Sequence, residues 1–140
     1  MLNQTVFTGT EIKKSFPAIV LNHQAWPKRS EARQILLLSI AACFNEARTD
    51  YREVDVNDLI ESWIAHFGQQ LNLDHVTLRR ALVDARILHR CSAGKHYSII
   101  PDPALSKNVA VMRSLDLEAL VAKKLCEQQR NRERYLNAAE

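Results

Sequence analysis

The sequence predicts a mainly α-helical protein that carries one small β hairpin. Apolar residues recur at helical spacing along most of the 140 residues, and they make up 46% of the chain, which is enough for a packed core. The chain has only three Gly and four Pro, a composition that favours long helices over loops. Two β-prone segments around a glycine-containing turn, near residue 94, predict the hairpin.

The first 25 residues are predicted to be an N-terminal extension with one short helix over residues 10–15. Thr10 is the expected N-cap of this helix, because its hydroxyl can accept a hydrogen bond from the first turn. Pro17 is expected to end the helix. The apolar residues that follow, 18–21, are expected to be extended.

The next predicted helix follows Pro27 and runs from about Glu31 to Phe44, with Ser30 as its N-cap. Apolar side chains cover most of its circumference, so this helix should be central and buried. Cys43 is therefore expected to pack in the core. The apolar positions are Ile35, Leu36, Leu38, Ile40, Ala42 and Cys43.

A short extended piece at residues 51–54 precedes the second long helix. Asp55 is its expected N-cap, and Asp58 is expected to act as the acid of a capping box. Gly68 is expected to end the helix. Its apolar positions recur at helical spacing: Leu59, Ile60, Trp63, Ile64 and Phe67.

A third helix, capped by Asn72 or Asp74, is predicted to run to about Ala85. The segments 87–91 and 96–100 follow directly and predict the hairpin. The order helix, short strand, helix, helix, hairpin is that of a winged helix-turn-helix. In that fold the third helix enters the major groove of DNA, and the hairpin, or wing, lies beside it.

The C-terminal part is predicted to be a linker over Pro103–Met112 and a long helix that begins after Ser114, its expected cap, and runs to about Asn137. Two heptads of this helix carry an apolar stripe. The stripe can fold back on its own domain or pair with a second copy, and the favoured interpretation is a homodimer that binds two half-sites. The predicted organisation is an extension (1–25), a winged helix-turn-helix domain (26–101), and a linker with the C-terminal helix (102–140).

Charge is distributed unevenly between the second and third helices. Residues 74–96 contain five basic and two acidic residues, whereas residues 50–61 contain five acidic residues and one basic residue. A basic surface binds DNA because it neutralises phosphates and releases their counterions. The third helix and the wing are therefore predicted to bind double-stranded DNA in a transcriptional regulator. The candidate DNA-binding residues are His75, Thr77, Arg79, Arg80, Arg86, Arg90 and Lys95.

The adjacent residues Arg79 and Arg80 are expected to have different environments, because neighbouring side chains on a helix point about 100° apart. Arg80 shares a polar face with Thr77 and Asp84 and is expected to face outward. A structural alternative stays open, in which arginines of this segment pair with Glu53 or Asp58 instead of binding DNA.

Three motifs between Trp26 and Tyr97 resemble an uncharacterised prokaryotic domain family of hypothetical proteins and candidate transcriptional regulators. The motifs are Pro27-Lys28, then Tyr51-Arg52-Glu53-Val54-Asp55-Val56-Asn57, then Asp74-His75-Val76-Thr77-Leu78-Arg79-Arg80-Ala81-Leu82-Val83-Asp84, which is followed by Arg90, Gly94 and Tyr97. The resemblance implies a winged-helix fold and a regulatory association, and it supplies no catalytic residue. Family members often carry Gly at position 86, so either the helix end differs here or Arg86 adds a charge beside the phosphates.

No group of residues indicates catalysis, and the chain is predicted not to be an enzyme. His89, Cys91 and His96 are the nearest approach to a metal site, but no metal-binding spacing supports it, so no metal and no cofactor are expected. Cys91 as a redox-sensitive thiol is the less favoured alternative to an ordinary strand residue. Three widely spaced cysteines, with no signal peptide and no membrane-spanning segment, predict a cytoplasmic protein.

The sequence is also compatible with two functions other than DNA binding. A winged helix can serve as a protein-interaction module, in which case the basic face would meet an acidic partner. RNA binding is a third interpretation, but the sequence lacks the exposed aromatic residues on which unpaired bases stack.

Overall fold

The structure is a computed structural model that describes residues 5–22, 25–45, 47–93 and 95–138. Within these ranges the chain forms six α-helices and one three-stranded antiparallel sheet, which confirms the predicted mainly helical fold with a small hairpin. The elements, in chain order, are α1 (Gly9–Asn22), α2 (Ser30–Ala41), β1 (Tyr51–Arg52), α3 (Glu53–Phe67), α4 (His75–Asp84), β2 (Leu88–Arg90), β3 (His96–Ile99), α5 (Pro103–Arg113) and α6 (Leu117–Ala138).

The segment from α2 to β3 forms the winged helix-turn-helix, with α4 as its third helix. The strand order is β1-β3-β2, and both pairings are antiparallel. Tyr97 of β3 lies opposite Arg90 in the hairpin and opposite Tyr51 on the other side. Strand β1 therefore joins the start of α3 to the wing. The predicted turn residue Gly94 lies outside the described residues.

Helix α2 is the centre of the core, as predicted, because every residue from 35 to 41 is buried. Arg29, and not Ser30, is its N-cap. The helix ends at Ala41, and the turn after it leaves Cys43 exposed, so the prediction of a core cysteine is wrong. Trp63 of α3 donates its indole N–H to the buried Ser39 Oγ at 3.0 Å, which fixes α3 on α2.

Helix α1 is longer than predicted at both ends. Its cap is Thr8 and not Thr10: Thr8 Oγ1 accepts the backbone N–H of Glu11 at 3.1 Å, while the Glu11 carboxylate accepts the backbone N–H of Thr8 at 3.2 Å. Pro17 does not end the helix, and residues 18–21 are helical instead of extended. The loss of one backbone hydrogen bond at proline is offset by burial on both sides of it, at Ile12, Phe16, Ile19 and Val20.

Helix α3 begins at Glu53, directly after β1 and earlier than predicted, so its N-cap is Arg52 and not Asp55. Asp55 occupies the third helical position, where its carboxylate accepts the backbone N–H of Arg52 at 3.0 Å. Asp55 therefore has the role predicted for Asp58, and the predicted N-cap role of Asp55 is wrong. Gly68 ends the helix as predicted, and its N–H donates to the Ile64 carbonyl.

The predicted linker over Pro103–Met112 is wrong, because this segment is helix α5. Asp102 caps it by accepting the Leu105 N–H at 2.9 Å, and Pro103 takes the first helical position, where its missing N–H costs nothing. Helix α6 is capped by Asp116, which accepts the Ala119 N–H at 3.1 Å, whereas Ser114 ends α5. The buried face of α5 repeats at helical spacing: Leu105, Asn108, Val109 and Met112.

Helix α6 folds back along α1, one of the two arrangements expected for it. Leu117 and Val121 pack against the core, and Gln128 donates to the Asn22 side chain at 2.8 Å. Beyond this contact the helix is exposed, with Tyr135 at 76% accessibility. The homodimer and the three domain boundaries stay predictions. None of the described helices is long and apolar enough to cross a membrane.

Candidate nucleic-acid interface

Helix α4 presents its polar face to solvent because its apolar face is fixed in the core. Leu78 and Leu82 are fully buried. At the N-terminus, Asp74 accepts the backbone N–H of Thr77 at 2.7 Å, which selects Asp74 over Asn72 as the cap. The same hydrogen bond lowers the pKa of the Asp74 carboxyl. The start and the rotation of α4 are therefore both defined by local contacts.

Arg79 points toward α3 and holds α4 against it. Its guanidinium donates to Asn57 Oδ1, and its Nη2 lies 3.3 Å from Glu53 Oε1. The side chain is only 15% exposed. Tyr97 of the wing donates its hydroxyl to the same Glu53 oxygen at 3.3 Å. Glu53 thus links the third helix and the wing to α3, and Arg79 has the structural pairing that the sequence left open.

Arg80, one residue further on, faces outward as predicted. Its side chain has no hydrogen-bond or ion-pair partner in the part of the chain that the structure describes. Three further cations, each exposed and likewise without such a partner among the described residues, lie at the end of α4 and in the wing. Together with Thr77 they form what we call the α4–wing surface: Thr77, Arg80, Arg86, Arg90 and Lys95.

Arg86 lies just beyond α4 in the left-handed backbone region, with φ of 60°. The backbone N–H of Arg86 donates to the Val83 carbonyl, and that of Ile87 to the Leu82 carbonyl. This is the hydrogen-bond pattern of a Schellman motif, which favours Gly at the left-handed position. The helix therefore keeps the end that Gly would give it, and the position instead carries an exposed cation.

The histidines near this surface lie against carboxylates. His75 Nδ1 is 3.2 Å from Glu61 Oε1 of α3, so its ring is drawn toward α3. His96 Nδ1 is 2.8 Å from Asp50 Oδ1. Cys91 Sγ accepts the backbone N–H of His96 at 3.3 Å. Among the described residues, no three His, Cys, Asp or Glu side chains are placed to hold a metal ion.

Two of the five acids of residues 50–61 form ion pairs with arginines. Glu53 pairs with Arg79, while Asp50 and Glu61 face histidines. Asp55 lies 2.6 Å from Arg48 Nη2 and 3.2 Å from Arg52 Nη2. Hydrogen bonds from the side chain and backbone of Arg52 lower the pKa of Asp55 to about 2. The cations of the α4–wing surface are therefore not compensated by these acids.

A cleft of about 270 Å³ separates α4 from the wing. We call it the α4–wing cleft, and its lining residues are Arg79, Arg80, Val83, Asp84, Arg90 and Tyr97. The sequence placed Arg80 and Arg90 on the interface but did not bring Asp84 into the site. It also missed Asn57 as a partner of Arg79. The spacing in the sequence could have predicted this contact, because Asn57 follows Glu53 by four residues and so lies on the same face of α3.

Comparison with known proteins supports the resemblance noted above. A family model described as "Uncharacterized protein conserved in bacteria (DUF2087)" matches residues 23–99, which include every element from α2 to β3. No curated protein and no solved structure matches the chain.

Proposed function

This chain belongs to the bacterial DUF2087 family, and we propose that it binds double-stranded DNA through the α4–wing surface in transcriptional control. The observation that carries the proposal is the difference between two adjacent arginines. Arg79 is neutralised by Glu53, whereas Arg80 is exposed beside the cations of the wing. A purely structural role for these arginines would require the charge of Arg79 but not that of Arg80.

The dimensions of α4 suit the major groove. Ten residues of helix span about 15 Å, and the major groove, about 12 Å wide, accepts a helix. Thr77 would meet base edges in the groove, while Arg80 beside it and Arg90 and Lys95 in the wing would meet backbone phosphates. The buried contacts of Leu78 and Leu82 hold the helix in this orientation.

The local neutralisation of the acids supports the same proposal. Glu53 and Asp55 would repel phosphates if their charges were unpaired; each instead forms an ion pair with an arginine. The positive potential of α4 and the wing is therefore free to attract DNA. The proposal involves no catalytic step, metal or cofactor, and a role on bacterial DNA would place the protein in the cytoplasm.

A binding assay with three ligands tests this proposal against the alternatives. Fluorescence anisotropy would be measured for a random-sequence DNA duplex, an RNA hairpin and poly-glutamate, each at low and at moderate salt. Tighter binding of the duplex than of the other two, with a steep loss as salt rises, supports the proposal. Equal or tighter binding of poly-glutamate would instead favour an acidic protein partner.

The second candidate is a protein-interaction module, and the distal part of α6 favours it. Leu125, Tyr135 and Leu136 are exposed by 42%, 76% and 59%. The stripe expected to form a homodimer lies earlier in α6, where Leu117 and Val121 already pack against the core, so a dimer through α6 would bury these distal side chains instead. Light scattering of the wild type and of a Tyr135→Ser/Leu136→Ser variant tests it: a dimer that becomes a monomer in the variant supports the interaction.

A further inference from the structure

We infer that the α4–wing cleft binds one phosphate group of the DNA backbone, with Arg80 and Arg90 on either side of it. The inference rests on the proposed function and names the part of the DNA that this cleft would accept. Arg80 comes from the helix and Arg90 from the wing, yet both line the same cleft of about 270 Å³. A single anion there can contact both side chains.

The floor of the cleft is formed by Tyr97 and Arg79, whose side chains both contact Glu53. Tyr97 is 3% exposed and donates its hydroxyl to Glu53, and the Arg79 guanidinium lies against the same carboxylate. These contacts fix the positions of the two floor residues. They also cancel the charge of Arg79, so the anion-binding capacity of the cleft depends on its walls.

The walls carry two guanidinium groups, those of Arg80 and Arg90. Arg80 and Arg90 are exposed, and the described residues provide neither with an ion pair. Arginine suits phosphate because its planar fork donates two parallel hydrogen bonds to two oxygens of one group. A phosphodiester between them would therefore connect the recognition helix and the wing, and it would fix their register on the duplex.

Asp84 is the one feature of the cleft that opposes an anion. Its exposed carboxylate lies on the same cleft, and no described cation forms an ion pair with it. A phosphate placed in the cleft is repelled by this charge. Replacing Asp84 with Asn should therefore tighten DNA binding several-fold, which a residue remote from the phosphate would not do.

A double-mutant cycle tests whether Arg80 and Arg90 share one phosphate. Duplex affinity is measured across a salt series for Arg80→Gln, Arg90→Gln and the double variant, after thermal melts show that each is folded. Each neutralised phosphate contributes about 0.9 to the slope of log affinity against log salt. The double variant should lose about 0.9, and its fold-loss of affinity should be smaller than the product of the two single losses.

The matched control pair is Arg80 with Lys95, because Lys95 is an exposed wing cation outside the cleft lining. Arg80→Gln/Lys95→Gln should lose a slope of about 1.8 with multiplicative affinity losses. Asp84→Asn should bind several-fold more tightly, while Asp58→Asn on α3 should bind as the wild type does. This inference is overturned if the affinity losses of Arg80→Gln and Arg90→Gln multiply in the double variant, or if Asp84→Asn binds the duplex as the wild type does. Neither result overturns the proposed function. A wild type that binds no duplex at low salt overturns the proposed function and this inference with it.

Discussion

Arg79 and Arg80 are adjacent in sequence but have opposite environments. Arg79 Nη2 lies 3.3 Å from Glu53 Oε1 and its side chain is 15% exposed, whereas Arg80 is exposed and pairs with no described residue. The angle of about 100° between consecutive helical side chains produces this separation. One arginine therefore stabilises the packing of α4 on α3, and the other is available to a ligand.

Replacing Arg79 with Ala should destabilise the fold, because it removes the donor to Asn57 and the cation that pairs with Glu53. We expect a loss of about 1–3 kcal/mol in the free energy of unfolding. Arg80→Ala should change it by less than about 0.5 kcal/mol, as exposed substitutions usually do. Urea unfolding followed by circular dichroism measures both. Equal losses for the two variants would contradict the assignment.

Replacing Arg86 with Gly should stabilise the protein, because φ of 60° is strained for Arg and easy for Gly. We expect a gain of about 1 kcal/mol in the free energy of unfolding. Asn72, with φ of 53°, is the matched control, since Asn tolerates this region and Asn72→Gly should have a smaller effect. A destabilised Arg86→Gly would show that its side chain contributes more to the fold than the strain costs.

Lowering the pH should reduce the free energy of unfolding, because the Asp55 carboxylate becomes protonated. Its pKa is about 2 in the folded protein, below the ordinary value of 3.8, because Arg52 donates hydrogen bonds to the carboxylate. A lowered folded-state pKa contributes stability that is complete above about pH 4 and is lost as the pH falls toward 2. The stability difference between the wild type and Asp55→Asn should therefore shrink over this range. A difference that stays constant from pH 5 to pH 2 would contradict this account, and Asp58→Asn serves as the control.

Replacing Gly68 with Ala should disturb the junction that follows α3. An added Cβ would lie 2.9 Å from Trp63 Cζ3, closer than real Cβ contacts, and 3.0 Å from Ile64 Cα, tighter than most of them. We expect a loss of about 1–3 kcal/mol, typical of an overpacked site. Gly9→Ala is the matched control, since its Cβ would meet only Leu115 at 4.0 Å. Similar melting temperatures for the two variants would refute the steric explanation.

The core helices were predictable because their hydrophobic patterns are strong. The apolar circumference of α2 and the Gly68 boundary of α3 are both read directly from residue spacing. The error at α1 comes from the interpretation of Pro17 as a helix breaker, whereas α5 was missed because Asp102 and Pro103 were not recognised as its cap and its first residue. Pro17 is tolerated inside α1 because burial offsets one lost hydrogen bond, and Pro103 begins α5 beside the cap Asp102.

The candidate site was predictable in part. Helical geometry separated Arg79 from Arg80, but the partner of Arg79 depends on how α3 packs on α4, which residue spacing does not determine. The same holds for His75, a candidate DNA-binding residue whose contact with Glu61 depends on the same packing. The α4–wing cleft joins side chains from two elements, so only the tertiary structure brings them together.

The salt dependence of duplex binding by Arg80→Ala is the most direct test of the central claim. Lys107→Ala is the control, because Lys107 is an exposed cation on α5, outside the α4–wing surface. The account predicts that Arg80→Ala binds about tenfold or more weakly than the wild type, with a slope against log salt smaller by about 0.9, and that Lys107→Ala binds as the wild type does. Equal affinity and slope for Arg80→Ala and the wild type would contradict it.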